Sequence, residues 1–178
     1  METKKQSVVL SVDAETDGLW GMPFAVGAVV YDESGKEITR YVGRSNVPPT
    51  NTWVLENVWP NTHNIPVVGD TDALLKDFAD FYTRMRSQYD VTVLWHMVHV
   101  VEAYLFRLLV EKGFIGEWDA PYVPIEVSAY LQQAGYKPDS VDSYISANGL
   151  EAGYDGATHN PLYDCIVAYR VWKHLMRK

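Results

Sequence analysis

Residues 7–18 read SVVLSVDAETDG, a β-branched apolar run that ends abruptly in three acids and a glycine. The first half has the composition of a buried strand, and the second half that of a functional loop. In extended backbone, side chains two apart share a face, so Asp13 and Glu15 are placed together, with Asp17 beyond them. Residues 23–32, PFAVGAVVYD, and 37–44, EITRYVGR, continue as strands, joined by the short ESGK turn with Gly35. Residues 7–44 therefore predict an antiparallel meander.

Residues 45–69 read as loop, interrupted by Pro48, Pro49, Pro60 and Pro66, with a short helical piece at TWVLENVW. Asp70 or Thr71 caps a helix through DALLKDFADFYTRMRSQ, whose Leu74, Phe78, Phe81 and Met85 share one side. VTVLWH at 91–96 is a strand, HVVEAYLFRLLVEKG a helix stopped by Gly113, and PYVPIEV at 121–127 a further strand. Two short helices end at Gly135 and Gly149, and a last one starts at Pro161 in PLYDCIVAYRVWKHLMR. Three hairpin-linked strands followed by alternating helices and strands describe an α/β chain with a mixed sheet.

At 178 residues the length fits one domain, 1–178, and 47% hydrophobic residues suffice for a packed core. No apolar run approaches the ~20 residues that span a bilayer, so no membrane association is expected. METKKQ lacks a signal core, and the lone Cys165 fits a reducing compartment, which together read as cytoplasmic. A net charge of −8 argues against coating long nucleic acid by neutralising phosphates. It is compatible with gripping a chain end through divalent cations held by some of those acids.

Three further positions stand out. Glu102 falls early in an otherwise apolar helix, where a carboxylate needs a cation or hydrogen bonds unless it merely complements the helix N-terminus. Asp164 sits among Leu162, Ile166 and Val167 on a helix patterned for a core. His159 lies just upstream, where an imidazole could take a proton from water near neutral pH. Taken singly, D-x-E also suits a polar turn and His159 an exposed loop. Taken together, acids on a strand end, a helix start and the last helix suit a site assembled across a sheet end, with oxygen donors for Mg²⁺ or Mn²⁺.

In this order VVLSVDAETDG, LWHMVHVVEAYLF and HNPLYDCIVAYRVW resemble the three motifs of the DEDDh (DnaQ-like) 3′–5′ exonuclease family. The resemblance implies a ribonuclease H-like three-layer fold, with a mixed central sheet flanked by helices. It implies a nuclease that removes nucleoside 5′-monophosphates from the 3′ end of single-stranded or short RNA or DNA. It further implies two divalent ions, about 3.5–4 Å apart, with Asp13 bridging them. Glu15 and Asp164 would complete one ion, Glu102 would support the second through water, and His159 would act as general base. Glu102 stands where the family usually has Asp, and the asparagine common before that acid is missing. His96 and His99 occupy the segment instead, His99 one helical turn before Glu102.

For substrate grip, Gly18, Leu19 and Trp20 follow the first acids, with Trp20 a stacking candidate for the terminal base and His99 a further contact. Trp53, Glu56 and Asn57 line a loop that could cover the terminal sugar. Arg84, Arg86, Arg170, Lys173, Arg177 and Lys178 read as solvated helix faces rather than a phosphate track. The resemblance admits a homodimer, which no sequence feature demands. The competing readings are a catalytically silent binding or regulatory module and a ribonuclease H-like endonuclease on the same carboxylates.

Overall fold

Strands β1 (Ser7–Thr16), β2 (Pro23–Asp32) and β3 (Glu37–Ser45) form the expected meander, turning at Gly35 with φ +89°. β4 (Val67–Gly69), β5 (Asp90–Trp95) and β6 (Ile125–Glu126) complete a six-stranded sheet in the order β4-β3-β2-β1-β5-β6. β1 pairs antiparallel with β2 and parallel with β5, so the sheet is mixed. The helices are α1 (Thr52–Asn57), α2 (Thr71–Gln88), α3 (Glu102–Glu111), α4 (Val127–Gln133), α5 (Val141–Asn148) and α6 (Pro161–Leu175). This computed structural model describes residues 5–97, 100–156 and 158–177. No helix among them is long and apolar enough to cross a membrane.

Two departures from the sequence reading have physical causes. β4 lies inside the stretch read as loop, because a three-residue parallel pairing with β3 leaves no periodic pattern. The strand expected at 121–127 shrinks to Ile125–Glu126, since Pro121 and Pro124 offer no N–H to a ladder. The helix expected from residue 99, itself outside the described residues, is found from Glu102.

Side-chain alternation splits β1 between two cores. Val8, Leu10, Val12 and Ala14 pack with α2 and α3, where Leu74, Phe78, Phe81 and Met85 are all buried. The opposite face of the sheet packs against α4, α5 and α6 through Val29, Leu94, Val127, Tyr144 and Val167. Ser11, Asp13 and Glu15 alternate onto this second face, and Ser11 Oγ donates to the Cys165 carbonyl of α6 at 2.6 Å. Helix–sheet–helix layering of this kind is the three-layer α/β architecture.

The start of α6 lies directly on β2. Gly27, opposite Asp13 in the ladder, has no side chain, and a Cβ there would sit 2.4 Å from the Pro161 carbonyl carbon and 2.6 Å from Leu162 N. A glycine within a β-branched strand commonly marks such a close backbone approach. Gly27→Ala is expected to destabilise the chain by about 1–3 kcal/mol through overpacking, and Gly27→Val by more. Urea denaturation checks this, and an unchanged midpoint for Gly27→Val would contradict the contact.

Candidate metal and catalytic site

The ends of β1 and β5 open, with the start of α6, onto a cavity of about 290 Å³. Six carboxylates line it, those of Asp13, Glu15, Glu102, Asp139, Asp142 and Asp164, together with His96 and His159. No lysine or arginine lies among these lining residues. Asp13 and Glu15 come from the α6 face of β1, and Asp164 from the first turn of α6. Each can present one oxygen so that the three lie within 4.8 Å of one another. That spacing suits a shared hard cation.

Glu102 reaches the same cavity from the opposite layer. It begins α3, is 2% exposed, and accepts the Ala14 N–H through Oε1 at 3.3 Å. Its Oε2 is buried without a hydrogen-bond partner among the described residues. Glu102 is not one of the three mutually close carboxylates.

Burial dominates the electrostatics, and mutual repulsion adds to it. Desolvation, then Asp164, pushes Glu15 up to about 8. Desolvation likewise carries Glu102 to about 8 and Asp164 to about 7, although backbone N–H groups oppose the rise in both. Asp13 is held well above the usual carboxylate range by desolvation and then by Asp164, Glu15 and Glu102. The donor set therefore fits a divalent ion, since it consists of hard oxygens, carries uncompensated charge, and includes an orphaned buried Glu102 oxygen.

His159 sits at the cavity rim with φ +66°, and its backbone N–H donates to Asp164 Oδ2 at 2.9 Å. Met97, at φ 60°, is the other non-glycine residue with positive φ among the described residues, and it lines the same cavity. Strained backbone of this kind concentrates at functional sites. The segment carrying His159 is braced from two sides. Asn61 Nδ2 donates to the Thr158 carbonyl at 3.2 Å, and Asn160 Nδ2 returns a bond to the Asn61 carbonyl at 3.1 Å. On the other side Thr158 Oγ1 donates to Asp142 Oδ2 at 3.3 Å. The Trp53 and His159 rings meet edge to face, with centroids 5.7 Å apart.

The other expected residues divide. Leu19 lines the cavity and is 60% exposed. Gly18, at φ +77°, makes the turn that lets Gly21 N–H reach its carbonyl, and Trp20 is exposed but not among the cavity's lining residues. Asp17 turns away to accept hydrogen bonds from Thr50 and Asn51. His96 Nε2 meets the Pro138 carbonyl at 2.8 Å. His99 lies outside the described residues. Gly27, Asn61 and Asp142 were missed. A glycine in PFAVGAVVYD was a usable signal for the first, whereas nothing local marks the other two.

No family profile matches the sequence, and no curated protein matches it. Among solved structures, the chain is similar to the nuclease domain of 3′hExo, a DEDDh family member, bound to rAMP. That match has a TM-score of 0.67 at 9% identity over 99% of this chain and 94% of that one. The chain is also similar to E. coli exonuclease I in complex with a 5cy-dT13 oligonucleotide, with a TM-score of 0.66 at 14% identity over 98% of this chain. It spans 41% of the length of exonuclease I. At such identities the likeness establishes the fold, which is the one implied by the motif resemblance.

Carboxylates with raised folded pKa values make stability pH-dependent. The native state holds protons that the unfolded chain has lost, so stability falls as pH rises from the ordinary carboxylate range through about 7 to 8. Thermal unfolding in EDTA should show the Tm dropping between pH 5 and 8, with Mg²⁺ or Mn²⁺ raising it more at pH 8 than at pH 5. A metal-induced shift of equal size at both pH values would contradict the charge reading.

Proposed function

We propose that this chain, acting as one domain, is a metal-dependent 3′–5′ exonuclease that releases nucleoside 5′-monophosphates from single-stranded or short nucleic acid. The observation that carries the reading is the convergence of Asp13, Glu15 and Asp164 oxygens within 4.8 Å, in a cavity also lined by His159. The 3′–5′ direction rests on the resemblance of HNPLYDCIVAYRVW to the third DEDDh motif.

Asp13, Glu15 and Asp164 would hold Mg²⁺ or Mn²⁺, with Glu102 behind them supporting a second ion. Such ions, when bound, polarise the phosphodiester, activate water and stabilise the leaving oxygen. His159 accepts the proton of the attacking water as the new P–O bond forms. The P–O3′ bond breaks, and the departing 3′ oxygen takes a proton from solvent. The hydrogen bond from His159 N–H to Asp164 fixes the base relative to the carboxylates, so proton acceptor and phosphorus are oriented together. Leu19 and Trp53, both exposed at this end of the molecule, grip the terminal nucleoside, with Trp20 stacking further out.

The test is cleavage of an end-labelled oligonucleotide in Mg²⁺ or Mn²⁺. Steady shortening from the 3′ end is expected, with Asp13→Asn or Asp164→Asn lowering the rate by about a thousandfold or more. His159→Ala should slow turnover by about 10²–10⁴-fold while keeping the metal-dependent Tm shift. Glu102→Asp should retain or raise activity if position 102 serves the metals. Internal cuts, activity surviving in Asp13→Asn, or no cleavage with either ion would overturn the assignment.

A further inference from the structure

A hollow of about 400 Å³ lies away from the carboxylate site, between the second half of α6 and the β2–β3 hairpin. The sequence reading treated Arg170, Lys173 and Arg177 as a solvated helix face. In the fold all three line this hollow, joined by Arg40 from β3. Four cations there face two carboxylates, those of Glu37 and Glu151. Glu37 is consumed by a two-pronged pair with Arg40, both contacts at 2.6 Å.

Arg170, Lys173 and Arg177 form no ion pair among the described residues. Two of them are nevertheless held in place. Arg170 donates to the Glu151 carbonyl at 3.1 Å and lies against Gly153, and Lys173 donates to the Glu33 carbonyl at 3.1 Å. Carbonyl partners orient a cation without neutralising it.

Buried donors point to an acceptor as well. Tyr169 lines the hollow, is 3% exposed, and stacks flat on Tyr31, with centroids 3.6 Å apart. Its hydroxyl is buried with no hydrogen-bond partner among the described residues. The indole N–H of Trp172, on an adjoining hollow lined also by Glu33, Ser34, Lys173 and Arg177, is likewise without a partner among the described residues. Unsatisfied buried donors beside unpaired cations call for an oxyanion. Complementing the C-terminus of α6 accounts for Lys173, and the pair with Glu37 accounts for Arg40, but neither accounts for Arg170 and Arg177 beside the orphaned hydroxyl.

We propose that this hollow is a second anion site that takes the phosphate group of a nucleotide. The phosphate comes either from a free mononucleotide or from the backbone of a strand running along α6. Asp164 and Lys173 are nine residues apart on that helix, about 14 Å at 1.5 Å per residue. The site does not depend on cleavage at the carboxylates, because its cations bind phosphate whether or not the other end of α6 is catalytic.

The test is calorimetry on the full chain at low salt in EDTA, which removes any metal-dependent binding at the carboxylates. The probes are inorganic phosphate, AMP and the oligonucleotide dT10. Binding of at least one probe is expected, unchanged in Asp13→Asn and weakened about tenfold or more in Arg170→Gln/Lys173→Gln. AMP and phosphate binding as tightly as dT10 identifies a free phosphate ester, and binding of dT10 alone identifies the strand. If the double variant fails to fold, Arg177→Gln, on an exposed side chain past the last turn of α6, must show a weakening. No binding of any probe, or binding indifferent to these substitutions, overturns the proposal. Neither result touches the exonuclease reading, which is assayed with metal.

Discussion

The contact on which the rest depends is the seating of the first turn of α6 on β2 at Gly27, backbone against backbone. Gly27 is the ladder partner of Asp13, and the same helix turn carries Asp164. The two acids therefore meet because a strand position lacks a side chain. Any Cβ at Gly27 would lift Pro161 and Leu162, and with them the carboxylate three residues on. The Ser11–Cys165 hydrogen bond, one helical turn further along, ties the same helix to β1, the strand that carries Asp13.

Seating these elements so closely gathers charge that the protein leaves uncompensated. The Asp164 carboxylate accepts the His159 N–H, and Glu102 accepts that of Ala14. Each softens burial without cancelling it, and Glu15 and Asp13 are still pushed upward. Replacing these side chains with apolar ones of similar size would stabilise such a pocket. Oxygens so close together and so poorly compensated have the charge and spacing to take a cation. The same logic covers the backbone strain at His159, which persists because Asn61, Asp142 and Asp164 hold the segment from three elements.

Legibility in the sequence follows the range of the interaction. β2 was readable to the residue and α2 to within one at its start, because β-branched runs and a 3.6-residue apolar stripe are local signals, and of the two caps considered Asp70 caps α2 through its side chain. The meeting of Asp13, Glu15 and Asp164 was readable from alternation on β1 and from an acid on an apolar helix. β4 was not, because its pairing with β3 is specified by neighbours in space rather than by composition. Nor was the bracing by Asn61, which crosses 97 residues to Thr158. The placement of Glu102 behind the carboxylate cluster depends on how α3 packs against the far side of the sheet. Spacing along the chain carries no information on that.

α6 also separates charge along its length. Its first turn carries Asp164, and its last turn carries Lys173 and His174, an arrangement that complements the helix dipole at both ends. On an isolated surface helix that pairing would suffice as an explanation. Here each end gathers further charge of its own sign, Asp13 and Glu15 from the sheet at one end, and Arg170 and Arg177, without ion pairs among the described residues, at the other. Like charges brought together without partners work against folding, and a polar surface gives no reason to assemble them. A chain with net charge −8 nevertheless concentrates unpaired cations at one end of the helix whose other end gathers carboxylates. Ligands of opposite sign at the two ends, a cation at the first turn and a phosphate at the last, remove both penalties within one account.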